Sequence, residues 1–517
     1  MEERAPERAP LRAESLAAEH ERLGRAATEI VARFARALED APVCSRATPS
    51  ELEQLFDEPL PREGGADPAD LFARFARDII PHSMKIPSPR YFGLFNPTPL
   101  AVGVWADALA AALNQNQAVW RNSPAASVVE ARVVRWLCEM IGYPAESYGT
   151  MTSGGSEANL VALKCARDRA ARPARDYGLR RVAEESDSRA DKHSRSASVA
   201  GASGDLVVYA SEQSHYSFEK SVDILGLGRC NLRKIATDER FHVRTDLLRA
   251  EIERDLAAGN VPTCVAGSAG ATSTGVVDPL DELADIAAEY GVWFHVDAAY
   301  GGALALSEQH RHLLKGIERA DSVTVDPHKW MFVPFAAGAT LVRDGGRVLR
   351  DSFDITPEYL SEQRGGEDVP FDCFRYGQLG TKRFNALKVW MALKTLGARG
   401  YAEIIDRQIE LTNHLAARLR EAENFETVGE VETAVCCFRF VPASLRGAGG
   451  EELDAAQIAL QQRVERSGEA WISTTVLKGR RALRANVNSY LTERRHVDDL
   501  LELLTRESRE LLKAREA

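Results

Sequence analysis

Between residues 205 and 344 short apolar runs alternate with amphipathic helical segments, and this alternation restricts the fold more than any other feature of the sequence. Short, continuous apolar runs are typical of strands buried on both faces, and the helices between them cover those faces. The pattern predicts a doubly wound α/β core with a mostly parallel sheet. The runs read DLVVYAS, NLRKIAT, TCVAGSAG, VWFHVDAAYGG, ADSVTVDPHKW and GATLVRD.

The whole chain divides into three units, of which this core is one, because 517 residues exceed what one core normally holds. Residues 1–100 carry apolar positions at helical spacing and predict an N-terminal helical arm. The α/β core is expected to occupy residues 101–385, interrupted by an Arg-, Ser- and Asp-rich insertion at 170–204 that we interpret as a surface segment. Residues 386–517 begin with long helical patterns and continue into mixed strands and helices, which predicts a smaller C-terminal α+β domain.

Charge and composition exclude several classes of function. The chain carries 65 basic and 76 acidic side chains, a formal net charge of -11, which argues against nonspecific binding to nucleic acid or to an anionic membrane. No apolar run is long enough to span a bilayer, and the charged N-terminus lacks an apolar signal core, so we expect a cytoplasmic protein. The eight cysteines form no CxxC pair, and we expect neither a disulfide framework nor a metal site.

A glycine-rich turn, TSGGSE, runs directly into an apolar-periodic helix. The small residues Gly155 and Ser156 would let backbone amides approach an anion, and the dipole of the following helix favours negative charge at that point. This arrangement suits a phosphate group. A turn of this kind can equally be an ordinary helix cap, and the motif alone does not decide between the two interpretations.

Three further side chains follow predicted strands, at the edge of the sheet where ligands bind in such folds. Asp297 ends an apolar run and would need a cationic partner or would cap the next turn. Lys329 follows another run between His328 and a tryptophan, either as a nucleophile or as a lysine that extends to solvent. His215 follows a third run, either as a catalytic group or as an ordinary hydrogen-bonding residue.

Together these features match the requirements of pyridoxal 5′-phosphate (PLP). The phosphate requires backbone amides, the pyridine nitrogen requires an acidic partner and the aldehyde requires a lysine. A noncatalytic phosphate- or nucleotide-binding protein remains an alternative, although neither a Walker motif nor a GxGxxG motif is present.

The segments TSGGSEANL, SEQSHYS, HVDAAYGG and DPHKW resemble the group II PLP-dependent amino acid decarboxylases. That family includes decarboxylases of aromatic L-amino acids, glutamate, cysteine sulfinate and 2,4-diaminobutyrate, and the resemblance extends from about Pro81 to about Leu504. It implies an aspartate-aminotransferase-like fold, PLP fold type I. It also implies a homodimer with the active site at the subunit interface, across which the N-terminal segment is exchanged.

The resemblance also implies roles for individual residues. Lys329 corresponds to the Schiff-base lysine and Asp297 to the partner of the pyridine nitrogen, while Ala299 and His215 would lie against the two faces of the ring. The contacts implied for the cofactor's phosphate are Gly155, Ser156 and His328, and Thr272 would lie near the cofactor.

Asp326 departs from the family pattern, in which asparagine is often found at this position. An ionised carboxylate beside a phosphate would be repelled by it. We therefore expect the Asp326 side chain to point away from the phosphate site.

The resemblance also suggests the reaction and the substrate contacts. Tyr359 resembles a mobile-loop tyrosine that protonates the substrate's Cα, and its presence together with His215 favours decarboxylation to an amine over the oxidative reaction of an aldehyde synthase. Arg484 resembles an arginine that holds the substrate carboxylate. A small residue at Gly380 would leave room for a bulky ring, so an aromatic amino acid is preferred, with a diamino or acidic amino acid as the alternative. Pro97 and Thr98 are further candidate substrate contacts.

Overall fold

The computed structural model describes residues 13–62, 65–179, 204–355, 372–447 and 449–516. Residues 180–203 make up most of the proposed insertion and lie outside the described residues. Tyr359 lies outside them as well. The predictions made for them are therefore untested by the fold.

A seven-stranded sheet forms the centre of the molecule, in the order β2-β8-β7-β6-β5-β3-β4. The strands from β3 to β7 pair in parallel, as the alternating sequence pattern predicts. Strand β8 runs antiparallel to both of its neighbours, β7 and β2. The strands are β2 (Tyr148–Thr152), β3 (Leu206–Ser211), β4 (Leu232–Ile235), β5 (Val261–Ser268), β6 (Trp293–Asp297), β7 (Ser322–Val325) and β8 (Gly338–Val342).

Helices pack on this sheet because each presents an apolar stripe to it. The helix that follows β2 contributes nine buried residues, among them Asn159, and packs against β5, β6, β7 and β8. The helices of this region are α4 (Ala101–Leu113), α5 (Pro124–Met140), α6 (Gly155–Ala170), α7 (Ala174–Tyr177), α8 (Ser217–Ile224), α9 (Thr245–Ala257), α10 (Leu280–Tyr290) and α11 (Gly345–Phe353).

A second sheet of five strands, in the order β1-β11-β12-β10-β9, forms the C-terminal part of the fold. Its edge strand β1 (Tyr91–Phe92) comes from the N-terminal region and pairs in parallel with β11, so that Tyr91 lies opposite Trp471. The other strands are β9 (Phe425–Val428), β10 (Val435–Phe440), β11 (Trp471–Leu477) and β12 (Arg480–Asn486), and the helices are α12 (Ala386–Glu421), α13 (Gly450–Ser467) and α14 (Arg494–Glu516).

The N-terminal helices α1 (Ala13–Ala37), α2 (Pro49–Phe56) and α3 (Pro68–Arg74) have no buried residues. Thr48 and Glu51 form a reciprocal capping box that fixes the start of α2. None of the helices in the described ranges is both long and apolar enough to cross a membrane. The mostly parallel central sheet and the smaller C-terminal sheet agree with the expected fold class, whereas the domain boundaries at residues 100 and 385 stay predictions.

Candidate active site

The carboxyl ends of four strands meet at one edge of the central sheet and surround a cavity of about 370 Å³. Strand β6 ends at Asp297, and β7 leads into the segment that carries Lys329. Strand β2 leads into the glycine-rich turn, and strand β3 leads into the loop that carries His215. The cavity is lined by Phe95, Ser153, Gly154, Gly155, Ser156, Glu157, Asn159, His215, Tyr216, Ser268, Gly270, Ala271, Thr272, Asp297, Ala299, Tyr300, Asp326, His328, Lys329 and Phe335.

Asn159 fixes the orientation of Asp297. Its Nδ2 donates a hydrogen bond to Asp297 Oδ2 at 2.8 Å, and the amide of Ala299 donates to Asp297 Oδ1 at 3.1 Å. Asn159 is completely buried, and its Oδ1 accepts a bond from the Thr324 hydroxyl at 2.7 Å. The carboxylate is therefore held by two neutral donors, and it forms no ion pair within the described residues. Sequence reasoning did not single out Asn159, although it stands within the quoted segment TSGGSEANL.

A chain of hydrogen bonds joins the same asparagine to His215. Asn159 Nδ2 also donates to Ser217 Oγ at 2.9 Å, and that hydroxyl lies 2.8 Å from His215 Nδ1. The amide of Ser217 donates to Nδ1 as well, at 3.3 Å, so Nδ1 is an acceptor and Nε2 carries the proton of the neutral ring. Burial lowers the pKa of His215, which favours this neutral form.

His328 is fixed in a similar way. Its Nδ1 accepts a hydrogen bond from the amide of Ala337 at 3.0 Å, which leaves the proton of the neutral ring on Nε2. Nε2 lies 3.5 Å from Asp326 Oδ2. Burial lowers the pKa of His328 too, so the cavity has two histidines that favour the neutral state.

The expectation that Asp326 points away from the phosphate site is wrong. Its Oδ2 accepts a hydrogen bond from the amide of Gly155 at 2.9 Å and lies 3.2 Å from Lys329 Nζ. The side chain is almost fully buried and lines the cavity. The lysine ammonium and the turn amide are two electropositive partners, and they stabilise the buried carboxylate there.

The backbone of the glycine-rich turn lies close to neighbouring side chains, as the backbone of a phosphate-binding turn must. A Cβ atom on Gly154 would lie 3.0 Å from the His328 ring, and one on Gly155 would lie 2.9 Å from Asp326 Oδ2. The amide of Ser153, at the start of the turn, donates to Glu157 at 2.7 Å. Because α6 begins at Gly155, its positive dipole end faces the cavity.

Aromatic rings form one wall of the cavity. Phe95 stacks on Tyr300 with ring centroids 3.8 Å apart, and Tyr300 stacks on Trp330 at 4.5 Å. Two cations lie close to the same Phe95 ring, with Lys329 Nζ 5.8 Å and the Arg484 guanidinium carbon 4.8 Å from its centroid. Such distances allow cation–π attraction.

The residues predicted to contact substrate do not line this cavity. Arg484 is buried behind the wall residue Phe95, and its Nη1 donates to the carbonyl of Gly93 at 2.8 Å. Thr98 is buried and lies 2.6 Å from the Ser489 hydroxyl, and Pro97 is also buried. Gly380 is exposed, and its carbonyl accepts a bond from Asn116 at 3.2 Å. Their roles therefore stay predictions, whereas every predicted cofactor contact does line the cavity: Lys329, Asp297, Ala299, His215, Gly155, Ser156, Thr272 and His328.

The set of side chains fits PLP. A lysine, a carboxylate held by neutral donors and a turn of close-packed amides at a helix N-terminus meet in one cavity, and these are the groups that an aldehyde, a pyridine nitrogen and a phosphate require. Fold and site together define a PLP-dependent enzyme of fold type I.

Comparison with known proteins identifies the family. Residues 49–441 match the model of the pyridoxal-dependent decarboxylase conserved domain. The chain is 31% identical to an aromatic-L-amino-acid decarboxylase of Bacillus atrophaeus over 90% of this chain and 91% of that protein. It is 32% identical to the cysteine sulfinic acid decarboxylase of Mus musculus over 83% of each chain.

A solved structure agrees with these relatives. The crystal structure of Oryza sativa TDC with PLP and tryptamine superposes on this chain with a TM-score of 0.85 and 29% sequence identity. The superposition covers 97% of this chain and 99% of that one. The chain belongs to the pyridoxal-dependent decarboxylase family, and it is a PLP-dependent carboxy-lyase. This finding overturns the alternative of a noncatalytic phosphate-binding protein.

Proposed function

We propose that this enzyme removes CO2 from an aromatic L-amino acid and releases the corresponding amine. The observation that carries the proposal is the convergence of Lys329, Asp297, His215 and the amide turn on one cavity with aromatic walls. Phe95, Tyr300, Tyr216 and Phe335 all line it. Aromatic side chains offer a large apolar contact area and stack favourably on a substrate ring.

Each residue around the cofactor site is assigned a separate role. Bound PLP supplies an electron sink for the bond that breaks at the substrate's Cα. Lys329 provides the amine that holds the cofactor's aldehyde. Asp297, oriented by Asn159, would hold a proton on the pyridine nitrogen through an ion pair, and the neutral ring of His215 would contact one face of the cofactor ring.

Arg484 is proposed to attract the substrate carboxylate. It is buried, and its Nε and Nη2 lack hydrogen-bond partners within the described residues. Burial lowers its pKa, which reflects how poorly the charge is compensated. Because Phe95 lies between the guanidinium and the cavity, direct contact requires the Phe95 ring to move.

Tyr359 is proposed to return a proton to Cα, which makes the amine the product. In Tyr359→Phe the hydroxyl is gone, and we expect product to shift from amine to aldehyde, with consumption of O2 and water and release of ammonia and hydrogen peroxide. Tyr216→Phe removes another tyrosine hydroxyl near the cavity and should leave the product unchanged. An unaltered amine yield in Tyr359→Phe would remove Tyr359 from the mechanism.

The substrate is tested with the holoenzyme and the standard amino acids plus ornithine, 2,4-diaminobutyrate and dopa. Mass spectrometry measures CO2 and amine, and peroxide and ammonia are assayed in parallel. We expect amine from an aromatic substrate. Turnover confined to diamino or acidic amino acids would replace the aromatic assignment, and stoichiometric peroxide would identify an aldehyde synthase.

We further propose that the chain acts as a homodimer. The N-terminal helices leave large apolar side chains exposed, among them Val31 at 41%, Phe56 at 42%, Leu71 at 50% and Phe75 at 43%. Exposed apolar groups clustered on neighbouring helices are typical of interfaces. Light scattering over a range of concentrations should give twice the chain mass, and a stable monomer at all concentrations would contradict the proposal.

A further inference from the structure

The glycine-rich turn holds a carboxylate where the cofactor's phosphate is expected to bind. Asp326 Oδ2 accepts the amide of Gly155 at 2.9 Å, and Gly155 is one of the predicted phosphate contacts. Asp326 Oδ1 is buried and has no hydrogen-bond partner within the described residues. The carboxylate and the phosphate are therefore both anions directed at the same short turn.

The surroundings limit how this conflict can be resolved. A Cβ atom on Gly338 would lie 2.7 Å from Asp326 Oδ1, and one on Gly155 would lie 2.9 Å from Oδ2, so the carboxylate is packed between two backbone segments. Its side chain is only 1% exposed. This close packing holds the carboxyl group beside the turn, so we expect it to remain there when a phosphate binds.

Two buried or half-buried anions in contact are strongly unfavourable unless a proton lies between them. A phosphate monoester has a second pKa of about 6 and is mostly dianionic above neutral pH. If one proton is shared, the carboxyl group becomes a hydrogen-bond donor to a phosphate oxygen, and the pair carries one negative charge less.

The titratable groups that face Asp326 are the other places where this proton could reside. Lys329 Nζ lies 3.2 Å away and His328 Nε2 3.5 Å away, and His215 lies within the electrostatic range of Asp326. Glu157 lines the same cavity but accepts the amide of Ser153. His328 is the main competitor, because a protonated imidazole would also bind the phosphate.

We propose that Asp326 couples the binding of the PLP phosphate to the uptake of one proton, which is shared between the Asp326 carboxyl group and the phosphate. The proton comes from solvent or buffer: the bond between the proton and its donor breaks, an O–H bond forms on the carboxyl–phosphate pair, and no oxidation state changes. The affinity for the cofactor then falls as pH rises. This pH dependence originates at the phosphate group of the cofactor and not at its aldehyde.

The test compares PLP with pyridoxal, which has the same aldehyde and ring but no phosphate. Dissociation constants are measured by absorbance titration between pH 6.5 and 8.5, and the protons exchanged are counted by calorimetry in buffers of different ionisation enthalpy. For the unaltered enzyme we expect the PLP dissociation constant to rise by about tenfold per pH unit, the slope of one proton. At pH 8 PLP should take up about one proton more than pyridoxal does. An equal proton count for the two ligands would overturn the proposal without any variant.

Asp326→Asn keeps the size of the side chain and replaces the shared proton by an amide donor. We expect this variant to bind PLP about tenfold more tightly at pH 8, to lose the pH slope and to exchange the same number of protons with both ligands. Glu157→Gln is the matched control, because it neutralises another carboxylate of the same turn, and it should keep the slope. If the PLP dissociation constant of Asp326→Asn still rises with pH, the proton belongs to His328 and the proposal is overturned. The same pH dependence of PLP binding in Asp326→Asn and Glu157→Gln would also overturn it.

Inorganic phosphate provides a probe that does not involve Lys329 chemistry. Its binding should weaken with rising pH in the unaltered protein and should be stronger in Asp326→Asn at pH 8. None of these measurements involves an amino acid substrate. Failure of the proton coupling would therefore leave the proposed decarboxylation intact, and failure to decarboxylate would leave the coupling intact.

Discussion

Asn159 is the residue through which the cofactor site is held in one arrangement. One of its Nδ2 hydrogens can serve Asp297 and the other Ser217, while Oδ1 accepts from Thr324 and from His295 Nε2 at 3.0 Å. All four hydrogen-bonding positions of the amide are thus used. Because buried polar groups without partners are costly, the network specifies one rotamer for each of its members.

Asn159→Ala should weaken cofactor binding. Asp297 would lose one of its two donors and the His215 chain would be interrupted, and we expect PLP affinity to fall by about 10- to 100-fold, equivalent to roughly 1–3 kcal/mol. The measurement is a PLP titration together with thermal unfolding. Asn231→Ala is the matched control, since buried Asn231 donates to the carbonyl of Leu227 away from the cavity. The two variants should lose stability alike, and an equal PLP affinity would contradict the role of Asn159.

Lys329, Asp297 and His215 were predictable because each follows an apolar strand, and position along the chain is enough to place a strand end. Asn159 and Asp326 were not predictable in the same way. Asn159 reaches Asp297 across 138 positions of the sequence, and Gly155 reaches Asp326 across 171. Such contacts depend on side-chain rotamers and on competing partners, neither of which a sequence pattern specifies.

Strand β6 contributes a fully buried histidine whose titration should affect stability. Burial lowers the pKa of His295 to about 4 from an ordinary value of 6.5. The unfolded chain therefore binds the proton more readily than the folded protein does. The stability that His295 contributes is present above pH 6.5 and is lost as the pH falls towards 4.

Asp278, which follows β5, has the opposite effect in the same range. It accepts the amides of Ser268 and Val243 at 2.8 and 2.9 Å, yet burial raises its pKa from 3.8 to about 6. Here the folded protein binds the proton more readily, so the contribution of Asp278 is present below pH 3.8 and is lost as the pH rises to 6. Each contribution amounts to roughly 3 kcal/mol, and the two largely cancel.

Substitution of Asp278 should therefore reveal the effect of His295. In Asp278→Asn the free energy of unfolding should fall as pH decreases from 6.5 to 4, with a slope that exceeds that of the unaltered protein by up to about 1.4 kcal/mol per pH unit. The double variant Asp278→Asn/His295→Gln should lose this extra slope. Urea unfolding at several pH values measures both, and identical slopes in the single and double variants would contradict the assignment to His295.

A buried ion pair joins helix α5 to the loop before α12. Lys382 Nζ contacts Glu130 Oε1 and donates to the Thr150 hydroxyl at 3.0 Å, and the two charged side chains are 6% and 1% exposed. Glu130→Leu should cost about 3–5 kcal/mol, because it leaves a buried ammonium without its counter-ion. The double variant Glu130→Leu/Lys382→Met should recover most of that loss. A double variant as unstable as the single one would show that the pair itself, rather than the orphaned charge, is what matters.

At the scale of the whole molecule, the central sheet and the strands of the C-terminal domain were predictable, but the pairing of β1 with the C-terminal sheet was not. Alternating apolar runs predict parallel strands and covering helices, and the parallel pairing of β3 to β7 agrees with that prediction. Strand β1 is only two residues long and lies in a proline-rich stretch, and its partner comes from the C-terminal domain. Neither periodicity nor turn signals reveal such a pairing, because the contact is tertiary.

Cofactor binding should stabilise the whole fold, because the cavity is built from several strands and loops at once. Free PLP at one hundred times its dissociation constant should raise the free energy of unfolding by about 2.7 kcal/mol. Removal of PLP should lower the melting temperature, and its return should restore it. In Lys329→Ala the shift should shrink, because the covalent attachment is lost. A full shift in that variant would mean that noncovalent contacts alone account for the stabilisation.

The short pairing of β1 with β11 has a mechanical consequence. Four residues after Tyr91 the same segment places Phe95 close to both Arg484 of the C-terminal sheet and Lys329, which follows β7 of the central sheet. Tyr91 is anchored to the C-terminal sheet by its stacking on Trp471, at 5.4 Å between centroids. A shift of the C-terminal sheet is therefore expected to move Phe95 as well, and with it one wall of the cofactor cavity.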